Sequence, residues 1–253
     1  MPGRRCIRHP PEYILATDLD GTLVGCKQSL QNLNRIILKQ RSKILLLYIT
    51  GRMFSSAWQL VKSEALLVPD ILISDVGTEL HVAPNFIRNA GWETKIGSTW
   101  KRTEIYSLLQ GIKDLNPQPI HPKFRLAYTT ESANFKSVLS QLYEMKRDLL
   151  LPIEIVPSLG HIIDILPEGA GKGPALRFVQ QMYNIDEHQV FVCGDSGNDY
   201  SMFIQGFQGI VVGNACADFK HQLRNTSGCI HFAKSHYADG ILEGLEIYGL
   251  FDR

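Results

Sequence analysis

Two aspartates separated by one residue, Asp18 and Asp20, run directly into Gly21-Thr22. A carboxylate can attack an electrophilic centre and form a covalent intermediate, while a second carboxylate nearby can give up a proton and later recover one. Three further polar groups of residues stand far along the chain: Thr50-Gly51-Arg52, Lys172 between two glycines, and Gly194-Asp195-Ser196-Gly197-Asn198-Asp199. If folding gathers the four, several carboxylates, one amine and two hydroxyls share one place. Charge packed so closely is costly unless a cation binds it. Ligation by carboxylate, carbonyl and water oxygens suits magnesium rather than zinc. Magnesium beside a lysine makes a pocket for a dianion, and phosphate is the natural one.

Such a meeting needs strands that deliver each turn to a common edge. Tyr13 to Thr17 is a short apolar run that stops abruptly at Asp18, the pattern of a buried strand. Leu30, Leu33, Ile36 and Ile37 follow at helical spacing, and Ile44 to Ile49 reads as a second buried strand that stops at Thr50. Residues 53 to 66 read as a helix, Ile71 to Ser74 as a third strand and Glu79 to Val82 as a short edge strand. The pattern resumes with Val190 to Cys193, ending at Gly194, and with Ile210 to Val212. Near-continuous apolar strands alternating with helices indicate a parallel sheet covered on both faces. Ligands then collect at the carboxyl ends of the strands.

The texture changes from about Pro84 to Ser158. Helices are expected at 99 to 113 and 132 to 150, with strands at 123 to 129 and 153 to 156. The predicted fold is therefore α/β: a doubly wound, Rossmann-like parallel-sheet core at 1–83 and 159–253, with a smaller α+β cap at 84–158. After Gly160 come a strand from Ile162 to Leu166, a glycine-rich turn carrying Lys172, and a helix from Pro174 to Tyr183.

In the cap, strand alternation places Phe124, Leu126 and Tyr128 against the cap helices and turns Lys123, Arg125, Ala127 and Thr129 toward the site. Arg125, Asp164 and Arg52 are thus the candidates for contacts to a substrate beyond its phosphate. Arg52 reads equally as a solvent-facing arginine at a helix start, and Asp164 as a turn residue. Thr50 reads both as an anion ligand and as a helix N-cap. Asn198 binds phosphate or only stabilises its turn. Cys193 is a buried core thiol, and Trp58, Trp92 and Trp100 are packing residues.

A chain of 253 residues has room for one large core, or for a core and a smaller domain. With 26 basic and 25 acidic residues, nothing points to nucleic acid or a membrane surface as partner. Its longest apolar run, Ile44 to Ile49, is far short of the roughly 20 residues of a membrane helix. Met1 to His9 is basic, but Pro10 and Pro11 follow where a secretory signal carries its apolar segment, so a cytoplasmic protein with a short tail is expected. Five cysteines, odd in number and without paired zinc spacing, are expected to be reduced thiols.

Asp18-x-Asp-Gly-Thr, Thr50-Gly-Arg, Lys172 and Gly194-Asp-x-x-Asn-Asp, in this order, closely resemble the haloacid dehalogenase superfamily of phosphohydrolases. The resemblance covers nearly the whole chain, because the insertion falls where one branch of that superfamily carries an α/β cap. Within the branch, Val76-Gly-Thr-Glu, Leu166-Pro-x-x-x-x-Lys-Gly, Cys193-Gly-Asp-Ser-Gly-Asn-Asp and His236-Tyr-Ala-Asp-Gly-Ile-Leu-Glu-Gly-Leu resemble the sucrose-phosphate phosphatases.

The resemblance implies that Asp18 is a nucleophile and metal ligand, and that Asp20 is the general acid and base with its backbone carbonyl on the metal. It implies that Thr50 and Lys172 hold phosphoryl oxygens, with Gly51 and Asn198 as candidates beside them, and that Asp195 ligates Mg2+ directly and Asp199 directly or through water. The implied substrate is a small-molecule sugar phosphate, sucrose 6-phosphate first, with mannosylfructose, mannosylglycerate and trehalose phosphates as alternatives. Two other classes stay open: a sugar phosphomutase, and a non-catalytic partner of a sugar-phosphate synthase.

Overall fold

In the strand Ile44–Ile49 every side chain is buried, so both faces of the sheet at that point must be covered. Helices supply the cover, as a parallel sheet requires. The structure, a computed structural model, describes residues 10–251. The basic N-terminal segment and Cys6 lie outside the described residues.

The larger domain begins with β1 (Tyr13–Thr17), α1 (Lys27–Lys39), β2 (Ile44–Ile49), α2 (Phe54–Ser63), β3 (Ile71–Ser74), β4 (Glu79–Val82), β5 (Ile87–Arg88) and α3 (Ala90–Gly97). The smaller domain follows with α4 (Arg102–Leu109), β6 (Asn116–Pro117), β7 (Leu126–Thr129), α5 (Phe135–Asp148), β8 (Ile153–Ser158) and β9 (Ile162–Pro167). The chain then returns through α6 (Lys172–Tyr183), β10 (Val190–Gly194), α7 (Tyr200–Phe203), β11 (Gln208–Val211), α8 (Ala217–Arg224), β12 (Ile230–Phe232) and α9 (Tyr237–Ile247).

The large sheet has the order β12-β11-β10-β1-β2-β3-β4-β5 and is parallel from β12 to β3, with β4 and β5 added antiparallel. Strand order reverses at β1, whose neighbours β2 and β10 lie far apart in sequence. That reversal opens a crevice at the carboxyl ends of the strands. Buried Leu30, Leu33 and Ile37 dock α1, and Ala175, Leu176 and Val179 dock α6, into one continuous core.

The domain boundaries differ from those expected at 84 and 158. β9 lies between β7 and β8 in the small antiparallel sheet, so the cap extends to Pro167. What reads in sequence as a boundary after Ser158 is a hairpin turn, with Leu159 and Gly160 both at positive φ, joining two cap strands. At the other end, β5 belongs to the large sheet, and Trp92 and Ile96 of α3 are buried in the main core. The expected helix at 99–113 is the shorter α4, preceded by an α3 that the periodicity did not signal.

The cap has its own core, where Ile105, Leu109, Val138 and Leu142 meet Leu126, Tyr128, Ile163 and Ile165. Phe124, expected in the same set, packs into the main core instead, because it precedes β7 at the edge where the two domains meet. Cys26, Cys193, Cys216 and Cys229 are free thiols. Among the described residues, no helix is long and apolar enough to cross a membrane.

Candidate active site

β1 keeps its pairing to β10 through the first polar residue, since the Asp18 N–H donates to the Cys193 carbonyl at 3.0 Å. The chain then turns at Gly21, whose φ is +78°; a Cβ there would lie 2.6 Å from Asp195 Oδ2. Only glycine permits both the backbone conformation and the approach. Thr22 Oγ1 completes the junction by donating to Asp195 Oδ1 at 3.2 Å.

β10 delivers Asp195 and the short turn behind it. Asp199 Oδ2 accepts the N–H groups of Asp195 (3.0 Å) and Ser196 (3.2 Å), forming half of a capping box with Ser196. Lys172 is the first residue of α6, two residues earlier than the expected helix start. A cation is unfavourable at a helix N-terminus. Here it is compensated: the buried ammonium donates to Asp18 Oδ1 at 2.7 Å, Asp199 Oδ1 at 2.6 Å and Asn198 Oδ1 at 3.1 Å. Gly77, at φ +94°, lets the neighbouring turn reach this helix start, as a Cβ there would fall 2.2 Å from the Gly171 carbonyl carbon.

Asp18, Asp195 and Asp199 offer oxygens within 4.8 Å of one another. Burial pushes the Asp18 carboxyl up to about 8; the charge of Lys172 opposes that rise, while Asp199 and Asp195 add to it. Burial and the charge of Asp199 push Asp195 up to about 6. Burial works against the Lys172 charge, yet Asp18 and Asp199 outweigh it and hold its proton more firmly than usual. Three carboxylates thus face one ammonium, and the cluster is short of positive charge. An all-oxygen donor set in that condition suits a small, hard divalent cation.

Thr50 is buried at the end of β2; its N–H donates to the Ile73 carbonyl (2.9 Å), and its Oγ1 accepts the Arg52 N–H (3.1 Å). It closes its own turn and is not the N-cap of α2, a position held by Met53. Gly51 faces Asn198, whose Nδ2 would lie 3.5 Å from an added Cβ. Arg52 grips both oxygens of Asp20 through Nε (2.6 Å) and Nη2 (2.7 Å), and Nη1 donates to Ser56 Oγ at 3.0 Å. In this structure Arg52 therefore holds the Asp20 carboxylate outside the acid cluster.

Arg125 and Asp164, expected to face a substrate, are buried against each other. Arg125 Nη1 donates to Asp164 Oδ1 at 2.9 Å, while Nε (2.8 Å) and Nη2 (2.6 Å) both meet Asp75 Oδ1. The register that pairs Ala127 with Asp164 brings the two charged side chains to one point on the sheet. Asp75 was not signalled by the sequence, although it directly precedes the Val76-Gly-Thr-Glu motif. Asn214 was also missed: its Nδ2 donates to the Gly21 carbonyl (2.6 Å) and its Oδ1 accepts the Tyr237 N–H (2.8 Å), which ties the Asp20 turn to α9.

A cavity of about 460 Å³ opens beside the Arg52 turn, between Met53, Phe54, Glu79 and Arg88 of the large domain and His121 and Lys123 of the cap loop. Lys123 projects there from an exposed position and pairs with Glu93 at 2.9 Å.

The probable sucrose-phosphatase 3a of Arabidopsis thaliana is 28% identical over 95% of this chain, which spans 60% of that protein's length. The other plant sucrose-phosphatases are likewise matched over about three fifths of their length. The mannosylfructose-phosphate phosphatase of Agrobacterium fabrum is also 28% identical, over 96% of this chain and 99% of its own. In structure, the sucrose-phosphatase of Synechocystis sp. PCC6803, solved with sucrose and phosphate, aligns with a TM-score of 0.90 at 30% identity, covering 94% of this chain and 98% of that one. The fold is shared more widely, as with the haloacid dehalogenase-like yhjK of Bacillus subtilis (TM-score 0.70, 20% identity). Residues 11–249 match the family model of sucrose-6F-phosphate phosphohydrolase, and the chain belongs to that family.

Proposed function

We propose that this protein is a magnesium-dependent phosphomonoesterase that releases phosphate from a sugar phosphate, with sucrose 6-phosphate as the first choice of substrate. The observation that carries this reading is the fully buried Lys172 ammonium on Asp18, inside an acid cluster at the strand ends. Asp18 attacks phosphorus, and the bond to the sugar oxygen breaks as Asp20, in its acid form, protonates that oxygen. Asp20 then takes a proton from water, which attacks the aspartyl phosphate, and the bond between phosphorus and Asp18 breaks to free the enzyme. Asp20 must exchange Arg52 for the substrate in this cycle, and its half-exposed position allows it to do so.

Thr50, Gly51, Asn198 and Lys172 surround the place where phosphoryl oxygens would sit. Magnesium held by Asp18, Asp195, Asp199 and the Asp20 backbone carbonyl would supply the positive charge that the cluster lacks and draw density from those oxygens. The sugar would occupy the cavity between the domains, where His121 and Lys123 of the cap face Arg88. Mannosylfructose phosphate is the second reading, favoured by the near-complete mutual coverage with the Agrobacterium protein.

Phosphate release measured over a panel of sugar phosphates, with magnesium and again with EDTA, tests the reading. Sucrose 6-phosphate or mannosylfructose phosphate should head the panel, and EDTA should stop both. Interconversion of two sugar phosphates without phosphate release would make the protein a mutase, and full activity in EDTA would remove the metal.

A further inference from the structure

Arg125 spans two domains. It directly precedes β7 in the cap, pairs with Asp164 on β9 of the adjoining sheet, and reaches Asp75 in the turn after β3 of the large domain. All three are buried, with residue exposures of 6%, 4% and 1%, and Thr78 Oγ1 gives Asp75 Oδ2 a further bond at 2.9 Å. A guanidinium whose fork is taken up by two buried carboxylates has little left to offer a sugar.

The Asp75 turn is unusual in its own right. Asp75 and Val76 both have positive φ, 53° and 59°, a conformation that a β-branched residue adopts only when its surroundings over-determine it. The surroundings here are the turn that carries the candidate phosphate site: the Asp75 N–H donates to the Arg52 carbonyl at 2.7 Å and the Val76 N–H to the Thr50 carbonyl at 3.2 Å. Arg52 in turn grips Asp20. An unbroken line of bonds therefore runs from the cap sheet through Arg125 and Asp75 to the Thr50–Arg52 turn and on to Asp20.

We infer that Arg125 is a positioning residue, which registers the cap on the large domain and, through Asp75, sets the Thr50–Arg52 turn over the acid cluster. This rests on the phosphatase reading above and deepens it, because it assigns to the cap a part in the phosphoryl site itself. Removal of the guanidinium should then impair the chemistry on any ester, large or small. A residue that contacts the sugar would matter only for the sugar ester.

The test compares the parent protein with Arg125→Met and with Arg125→Met/Asp75→Asn/Asp164→Asn, on sucrose 6-phosphate and p-nitrophenyl phosphate, well below the unfolding transition. Arg125→Met should lower kcat for both esters about a hundredfold, the scale of a misplacement of about 1 Å at a reacting centre. Its KM for the sugar phosphate should change far less. The triple variant, which removes the stranded carboxylates, should regain about a tenth of the parent kcat. If Arg125→Met does not fold, Arg125→Lys takes its place, with a smaller loss in the same direction.

A rise in KM confined to the sugar ester, with kcat unchanged and no recovery in the triple variant, would overturn the inference and make Arg125 a sugar ligand. Unchanged kcat on both esters with only a lower thermal midpoint would overturn it too, leaving a purely structural role. If the parent hydrolyses neither ester, the phosphatase reading has failed instead. Hydrogen exchange then decides the coupling alone: in Arg125→Met the amides of 75–78 and 126–129 should lose protection together while those of β1 keep theirs, and unchanged protection in both segments would sink it.

Discussion

The cluster around Lys172 and the triad around Arg125 are both buried groups of carboxylates gathered about a single cation, yet they are left in opposite states. Around Lys172, three carboxylates lie together but the compact ammonium pairs with only two of them, Asp18 and Asp199, and burial leaves the Asp18 carboxyl at about 8. Around Arg125, two carboxylates meet a planar fork that reaches both. Burial also raises Asp75 and Asp164, with Arg125 pulling each back. The guanidinium reaches every carboxylate of its cluster, whereas the ammonium reaches two of three and leaves its own with more negative charge to spare. Excess charge is a defect in a structural contact and a requirement in a site that must bind a cation and a phosphate together.

The largest expected effect concerns the unfinished cluster. Asp18→Asn keeps the size of the side chain but replaces the nucleophilic carboxylate with an amide that cannot attack phosphorus, so turnover should fall by about a thousandfold or more, with the fold retained. Stopped assays and circular dichroism on the same sample check both halves. A variant that keeps a tenth of the parent rate would end the nucleophile assignment.

Next in size is the response of each cluster to losing its cation. Lys172→Met and Arg125→Met should each cost about 3–5 kcal/mol of stability, because each strands buried carboxylates. Urea unfolding with and without magnesium separates them. Magnesium should return much of the loss in Lys172→Met, where the oxygens converge, and little in Arg125→Met. Equal recovery in both would erase the distinction drawn between the clusters.

A smaller effect is expected from pH. Folding raises the Asp18 carboxyl from about 3.8 to about 8 and Asp195 to about 6, so between these values the folded state holds more protons than the unfolded one. Stability from these groups is therefore full below about pH 4 and declines as pH rises toward 8. Saturating magnesium should flatten that decline. Thermal midpoints across this range, with EDTA or magnesium, give the comparison; a metal-free midpoint that climbs from pH 6 to 8 would contradict the charge deficit.

Much of the site was legible because its parts are local. Asp18-Leu19-Asp20-Gly21-Thr22 carries its strand, its turn glycine and its carboxylates within a few residues, and Gly194 to Asp199 does the same. The runs that became β1, β2, β3 and β10 are buried on both faces, so their hydrophobicity alone marked them as parallel-sheet strands. Two-residue β5 and β6 and the half-buried β12 carry no such signal, being fixed by their neighbours' hydrogen bonds.

Charge partners were the part that sequence could not supply. Arg125 lies 50 residues from Asp75 and 39 from Asp164, and Arg52 lies 32 from Asp20. Alternation along a strand gives the face on which a side chain emerges but not what waits there. The boundary after Ser158 failed for the same reason, since a turn between two strands looks alike whether the second strand leaves the domain or pairs back into it. The sequence by itself determined which residue types could run phosphoryl chemistry and which segments would be strands. The tertiary structure alone decided which carboxylates were left short of positive charge and which were closed by arginine, because that depends on distances between groups the chain does not hold adjacent.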